Sequence, residues 1–304
     1  MARIAFLGTP AVAVPTLRAL ASAHPVAAVF ANPDRPQGRG RRLEAPPVKQ
    51  AALELGLPVH QPESWKLPGT RALWESLGID LAIVVAYGHI LPTWMLDGCS
   101  TWNLHFSLLP RWRGAAPVNH AILSGDPETG VSLMKIVPGL DAGPVLAVTR
   151  RPITLEDSAD GLLAALAGDA AGLLTGHLSS LLVGDVPAIP QDEALVTVAH
   201  KLDRSMSILD FSRGALELHR QVRALQPWPG VELPVGDQVL KVCAVGGLRG
   251  SGDAPGTLRW DKGGAWLTAG DGQALELTAL QRPGKPVQPA LQALQPWGGS
   301  GRMP

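Results

Sequence analysis

The chain has little cysteine, and this scarcity excludes two classes of protein. Only Cys99 and Cys243 occur in its 304 residues, and they lie far apart in sequence. Two cysteines make neither a disulfide framework nor a four-cysteine metal site. No apolar run reaches the roughly 20 residues of a membrane helix, and the first residues lack the plan of a signal peptide. We therefore expect a cytoplasmic protein with no membrane partner.

An excess of charge of either sign is also missing. Lys and Arg together number 26, as do Asp and Glu. Residues 1–199 carry 14 basic against 17 acidic side chains, and residues 200–304 carry 12 against 9. Proteins that bind nucleic acid are usually more basic than this. A case for RNA binding therefore depends on local clusters of basic residues.

A dinucleotide fingerprint is absent as well. The first strand-like run ends at Gly8-Thr9-Pro10, where a nucleotide-binding fold would place Gly-x-Gly-x-x-Gly. This departure disfavours an enzyme that uses a nicotinamide or a flavin. Gly8 is expected to make a tight turn from strand to helix.

The first half of the chain has the alternating pattern of an α/β protein. Short apolar runs without clean alternation indicate strands buried on both faces, at 3–7, 26–30, 81–86, 101–104 and 131–136. Amphipathic or Ala- and Leu-rich stretches predict helices at 15–23, 47–55, 70–77 and 158–182. This succession predicts a Rossmann-like, doubly wound and mostly parallel sheet.

The last third of the chain predicts a second, smaller domain. An amphipathic helix at 212–225 is followed by strand-like runs at 239–245, 257–260, 265–268 and 275–280, with Gly-rich turns between them. This pattern is typical of a small β-barrel. We expect a first domain over 1–187, a linker over 188–200 and a second domain over 201–304. Trp228 is expected to pack between the helix and the barrel.

Three polar side chains suit acyl transfer. Asn103 and His105 are two residues apart at the end of a predicted strand, so they point to the same side. Asp141 follows about thirty residues later, between Gly139 and Gly143. An amide can stabilise an oxyanion, an imidazole can donate to it or move a proton, and a carboxylate can orient or charge the imidazole or accept a proton through water. We expect the three groups to meet in one catalytic site, and the sequence leaves the division of their proton-transfer roles open.

These residues lie within a longer resemblance to folate-dependent formyltransferases, and among them to the methionyl-tRNA formyltransferases. The motif NLHFSLLPRWRGAAP at 103–117 resembles the signature of the superfamily. Further matching segments occur in one order along nearly the whole chain: FLGTP at 6–10, NPDRPQGRGRR at 32–42, QPES at 61–64, VVAYGHILP at 84–92, GLDAG at 139–143, QVRALQPWPG at 221–230 and LQRPGK at 280–285.

The resemblance implies a substrate, a co-substrate and binding residues. It implies transfer of a formyl group from 10-formyltetrahydrofolate to the α-amino group of methionyl initiator tRNA, by a chain whose second domain is an OB-fold-like, tRNA-binding barrel. We expect no metal, because the formyl donor is already activated and the oxyanion has protein donors, and we expect a monomer. The residues that it assigns to folate are Val85, Tyr87, Gly88, Ser107, Leu108, Leu109, Pro110 and Gly139. It assigns the loop at 32–44 to the acceptor arm of the tRNA, first through Arg39 and then through Arg41 and Arg42.

Several alternatives stay open at this stage. A formyltransferase of the same superfamily could use a small amine acceptor, a hydrolase could deliver the formyl group to water, and a non-catalytic protein could bind tRNA alone. In the second domain, four basic residues fit either an RNA-facing surface or a solvated one: Arg220, Arg223, Lys241 and Arg249.

Overall fold

The computed structural model of the chain describes residues 2–37, 42–184, 186–298 and 301–303. The chain forms two compact units. The first contains residues 1–117, 128–152 and 163–199, and the second contains residues 118–127, 153–162 and 200–304. The predicted boundaries at 187 and 201 stay predictions.

Strands and helices alternate through the first two thirds of the chain, as the sequence predicts. In chain order they are β1 (Ile4–Gly8), α1 (Val14–Ala23), β2 (Val26–Phe30), β3 (Arg35–Gln37), β4 (Arg42–Glu44), α2 (Pro47–Glu54), β5 (Val59–His60), α3 (Pro68–Leu77), β6 (Leu81–Val85), α4 (Thr93–Gly98), β7 (Ser100–His105), β8 (Arg113–Gly114), α5 (Pro117–Ser124), β9 (Glu128–Lys135), β10 (Val145–Pro152), α6 (Ala159–Val183) and β11 (Val198–Ala199).

Seven of these strands form one sheet, in the order β10-β9-β7-β6-β1-β2-β5. The five strands from β7 to β5 are parallel, and β9 and β10 extend the sheet in antiparallel pairings. From β1 the chain first moves to β2 and later returns to β6 on the other side. Such a reversal opens a crevice beyond the carboxyl ends of the strands, where ligands of open α/β sheets bind.

The central strands β1 and β6 are apolar along their whole length, as expected for a sheet with both faces covered. Every residue of β1 and β6 is buried. Gly8 ends β1, and a Cβ there would lie 2.9 Å from the carbonyl oxygen of Val85, so the close packing of β1 on β6 favours glycine. On one face, Phe30 packs against Trp65 and Trp74, with ring centroids 5.3 Å away in both cases. All three rings belong to one buried apolar cluster.

Helix α6 is long and apolar enough to cross a membrane by length and composition alone. Its buried residues recur every three or four positions, as on a helix packed against a protein core. They include Leu162, Leu166, Ala170, Leu174, Leu178 and Leu181.

The second unit contains an antiparallel sheet with a helix packed against it. Its elements are α7 (Ala215–Leu225), β12 (Val231–Val235), β13 (Gln238–Gly250), β14 (Leu258–Asp261), β15 (Gly264–Thr268), β16 (Gln273–Gln281), β17 (Val287–Pro289), α8 (Ala290–Leu294) and β18 (Gly301–Met303). The strand order is β12-β13-β16-β15-β14-β18, and β17 pairs with β16. The predicted amphipathic helix followed by a β-rich domain is confirmed.

Trp228 does not pack where the sequence analysis expected it. Its side chain is 52% exposed. The core of the second unit is filled instead by Leu218 and Val222 of α7 and by Trp260 of β14, all at most 2% exposed.

Candidate active site

The end of β7 places two of the predicted catalytic residues. Asn103 pairs with Val84 of β6 on one side and Met134 of β9 on the other, so its backbone is held within the sheet. His105 ends the strand two residues later and is buried. Because side chains alternate along a strand, Asn103 and His105 lie on one face, as the sequence predicts.

Asp141 lies on a tight loop in which the backbone is strained. Its φ is 47°, a left-handed value that L residues seldom adopt and that Asp tolerates better than most. A Cβ on Gly143 would lie 1.8 Å from the carbonyl oxygen of Lys135, so only glycine fits there. The Asp141 carboxylate accepts a hydrogen bond of 2.8 Å from the backbone N–H of Gly114. The loop is therefore held at its backbone and at its carboxylate.

The structure brings His105 and Asp141 together. The Nδ1 atom of His105 lies 3.6 Å from Oδ2 of Asp141, and the two side chains are 7% and 20% exposed. The other ring nitrogen, Nε2, lies 2.8 Å from the carbonyl oxygen of Trp112. A carbonyl oxygen only accepts, so Nε2 carries a proton. In the neutral ring, Nδ1 therefore presents a lone pair toward the carboxylate.

The turn after His105 is held by its own polar groups. Ser107 is fully buried, and its hydroxyl donates to the carbonyl oxygen of Arg111 at 2.6 Å. Ser132 donates to the carbonyl oxygen of Ser107 at 2.7 Å and accepts from the N–H of Leu109 at 3.1 Å. The Ser107 side chain is thus committed to shaping the turn. Leu108, Leu109 and Pro110 are partly exposed along it.

The remaining predicted folate residues occupy two loops. Val85 ends β6 and is fully buried. Tyr87 is 2% exposed and packs near Trp65, and burial raises the pKa of its hydroxyl. Its ring therefore belongs to the core, which leaves its backbone for a ligand. Gly88 and Gly139 are exposed, with φ of 80° and 120°.

Of the three predicted tRNA-binding arginines, Arg39 and Arg41 lie outside the described residues. Arg42 begins β4, whose backbone pairs with β3 in an antiparallel hairpin.

A polar network lies at the base of this hairpin. Lys49 donates to both carboxylate oxygens of Asp34, at 2.9 and 2.8 Å, and to Gln61 at 2.7 Å. Gln61 in turn donates to the carbonyl oxygen of Asn32 at 2.7 Å. The hydrogen bond from Lys49 lowers the pKa of Asp34. The network joins the start of the arginine-rich loop to α2 and to the segment after β5.

Sequence reasoning missed a second set of polar residues beside Asp141. Arg113 is 8% exposed, although it belongs to a basic motif, and it pairs through both terminal nitrogens with Glu193 at 3.2 and 2.8 Å. These hydrogen bonds hold the pKa of Glu193 below its usual range. Gln191 lies between Arg113 and the Asp141 loop. One sequence feature could have pointed to this set: the acidic pair Asp192-Glu193 lies within the predicted linker, to which no function was assigned.

The part of the chain that the structure describes contains no cluster of three or more His, Cys, Asp or Glu side chains that could hold a metal.

Family models match both parts of the chain. The model described as formyl transferase covers residues 2–175, and the model of the formyl transferase C-terminal domain covers residues 201–296. The chain belongs to the formyltransferase family. The folds observed above, a mostly parallel sheet followed by an antiparallel one, are those of this family.

Close relatives of this formyltransferase share nearly its full length. A methionyl-tRNA formyltransferase from Methylococcus capsulatus is 47% identical over 289 residues, which cover 93% of each chain. A methionyl-tRNA formyltransferase from Halorhodospira halophila is 46% identical and covers 96% of each chain.

A solved structure has the same fold at low sequence identity. The N-formyltransferase from Helicobacter canadensis, in complex with folinic acid and dTDP-3-aminofucose, is 18% identical. It matches with a TM-score of 0.69 over 93% of this formyltransferase and 100% of its own chain.

Proposed function

We propose that this formyltransferase moves the formyl group of 10-formyltetrahydrofolate to the α-amino group of methionyl initiator tRNA, for translation initiation. Relatives that are 47% identical over 93% of the chain are methionyl-tRNA formyltransferases, which are one-carbon transferases. The observation that carries the chemistry is the approach of His105 Nδ1 to Asp141 Oδ2, at 3.6 Å, beside Asn103.

Asn103 is the group that stabilises the oxyanion. Attack of the amine on the formyl carbon forms a C–N bond and places negative charge on the formyl oxygen. An amide N–H that is already held in place can donate to this oxygen without reorganising. The backbone of Asn103 is fixed between β6 and β9, which supports this role.

His105 is the group that takes the amine proton. Its Nε2–H is bound to the carbonyl oxygen of Trp112, so the free lone pair is on Nδ1. A proton that arrives at Nδ1 faces the Asp141 carboxylate, which stabilises the imidazolium. The proton can later pass to N10 of the folate as the bond from N10 to the formyl carbon breaks.

We place the folate at the crevice beyond β1, β6 and β7. The proposed contacts are those named from the resemblance, with Tyr87 contributing its backbone. Two exposed apolar side chains on the neighbouring loops are available to pack on a flat heterocycle: Ile90 is 95% exposed and Leu140 is 62% exposed.

We place the tRNA on the loop at 32–44 and on the second domain, over 201–304. Arginine suits phosphate, and the Lys49 network fixes the base of the loop. In the second domain, Arg249 is exposed and stacks on Trp266, with its guanidinium 3.8 Å from the ring centroid. Arg223 is not available for RNA, because it is buried and donates to the carbonyl oxygens of Thr154 and Asp157.

We further propose a monomer that acts in the cytoplasm, where initiator tRNA is charged. Light scattering of the purified chain during gel filtration measures its mass in solution. A mass of about 32 kDa fits the 31.9 kDa chain, and twice that mass contradicts this proposal.

The deciding experiment measures transfer of a labelled formyl group to methionyl-tRNA. We expect transfer to initiator tRNA to exceed transfer to elongator tRNA, and the His105→Ala variant to lose it. Transfer to a small amine such as an amino sugar nucleotide, with none to tRNA, would show that the acceptor is the small amine and not tRNA. Formate released without an acceptor would indicate a hydrolase. Intact transfer in His105→Ala would remove the mechanism.

A further inference from the structure

Gln191 joins the Asp141 loop to the buried arginine. Its side-chain nitrogen donates to the carbonyl oxygens of Asp141 and Gly143, both at 2.7 Å. Its side-chain oxygen accepts from Nε of Arg113 at 2.9 Å. Carbonyl oxygens only accept and a guanidinium only donates, so the carboxamide has one possible orientation.

The arginine is itself held on two sides. Arg113 lies in β8, whose backbone pairs with β11, and its terminal nitrogens form a two-pronged pair with Glu193. Glu193 is 74% exposed, while Arg113 is 8% exposed. The next residue, Gly114, donates to the Asp141 carboxylate. One short segment therefore holds the carboxylate directly and the loop backbone through Gln191.

These hydrogen bonds hold the strained backbone of Asp141 in place. A left-handed backbone in a residue with a side chain is unfavourable, and it persists only where the surroundings enforce it. The two hydrogen bonds from Gln191 bracket the strained residue, at its own carbonyl and at that of Gly143. Without them the loop could relax, and the carboxylate would leave its place 3.6 Å from His105.

We propose that Gln191 is a positioning residue of the transfer reaction, oriented by Arg113 and Glu193, and that it acts through Asp141. The inference rests on the proposed function. Gln191 contacts neither substrate in this account. It sets the position of the carboxylate that stabilises the protonated His105.

The test is Gln191→Glu, which keeps the shape of the side chain and removes its N–H donors. We expect kcat to fall about 10- to 100-fold, while KM for the formyl donor and for the tRNA changes less than about 3-fold. Thr175→Val is the matched control, because the Thr175 hydroxyl in α6 also donates to two backbone carbonyls, those of Ala171 and Gly172, away from the residues proposed for binding and catalysis. It should leave kcat and KM unchanged.

A double-mutant cycle with Asp141→Asn distinguishes this proposal from the proposed function. If Gln191 acts through Asp141, adding Gln191→Glu to Asp141→Asn lowers kcat by less than about 3-fold more. Losses that multiply in full overturn the positioning role. If Asp141→Asn alone keeps full transfer, the proposed mechanism fails, and the positioning role of Gln191, which acts through this carboxylate, is overturned with it.

If Gln191→Glu folds poorly, Glu193→Gln tests the same proposal. Glu193 is exposed, so the substitution spares the core, yet it removes the charge that holds Arg113. We expect kcat to fall about 2- to 5-fold at unchanged KM, with no further loss in the Asp141→Asn background. Unchanged kcat in Glu193→Gln, or equal losses in both backgrounds, contradicts the proposal.

Discussion

Among the single residues, Asn103 allows the most specific prediction about the rate of formyl transfer. An amide held between two strands can bind the developing oxyanion only if its side-chain N–H is present. We expect Asn103→Ala to lower the single-turnover rate of formyl transfer about 10²- to 10³-fold, with little change in folate affinity. Rapid-quench measurements under saturating substrates give the rate. A loss smaller than about 10-fold would assign the oxyanion to another donor.

Gly143 sets the path of the Asp141 loop. Its missing Cβ would lie 1.8 Å from a backbone oxygen, which cannot move without shifting β9. We expect Gly143→Ala to lower the free energy of unfolding by about 1–3 kcal/mol and to lower kcat as well. Urea unfolding measures the stability. Gly172→Ala is the matched control, because nothing lies within 4 Å of that position in α6, and it should raise stability by up to about 1 kcal/mol.

The sequence predicts the positions of some of these site residues better than those of others. Asn103 and His105 share a face because strand alternation is local, so their spacing predicts it. The approach of Asp141 depends on a loop, and the resemblance was needed to select it. Gln191 and Arg113 are 78 positions apart in the chain. No local rule links residues at that separation, so their role could not be predicted.

At the scale of elements, the arginine-rich loop allows a clear prediction about how tRNA binding depends on salt concentration. Each lost phosphate contact should reduce the slope of log K against log salt by roughly one unit. We therefore expect Arg39→Ala to weaken tRNA binding most at low salt and to flatten the slope by about 1. Filter binding across a salt series measures this. Arg71→Ala is the control, because Arg71 pairs with Glu75 within α3. An unchanged slope for Arg39→Ala would exclude a phosphate contact.

The bounds of strands that bury apolar residues could be predicted closely, whereas an edge strand and a strand interrupted by proline could not be predicted. Expected strands at 26–30 and 81–86 correspond to β2 and β6, because a sheet covered on both faces selects unbroken apolar runs. Strand β10 was missed because it is an edge strand with Thr149, Arg150 and Arg151 in its second half. Strand β12 was missed because Pro234 interrupts its pattern.

The stability of the whole molecule should depend on His219 in mildly acidic solution. Burial, helped by the charge of Arg223, lowers the pKa of His219 to about 4, against 6.5 in an unfolded chain. Between these values the unfolded chain binds more protons, so stability falls as the pH falls through this window. The full effect is on the order of 3 kcal/mol.

The measurement compares the wild type with His219→Leu. Urea unfolding at pH 7.5 and at pH 4.5 gives the change in free energy for each protein. The carboxylates titrate in both, so the difference between the two changes isolates His219. We expect the wild type to lose about 2–3 kcal/mol more than the variant over this range. Equal losses would show that the histidine does not couple folding to proton uptake.

The short parallel pairing of β8 with β11 has a practical consequence for dissecting this enzyme. It ties residues 113–114 to residues 198–199. Only glycine fits at position 114, because a Cβ there would lie 2.5 Å from the carbonyl oxygen of Ala199. The N-terminal family match ends at residue 175, well before this tie. An expression fragment trimmed to that match would discard the backbone that braces the segment around Gly114. A minimal catalytic fragment must therefore run through residue 199.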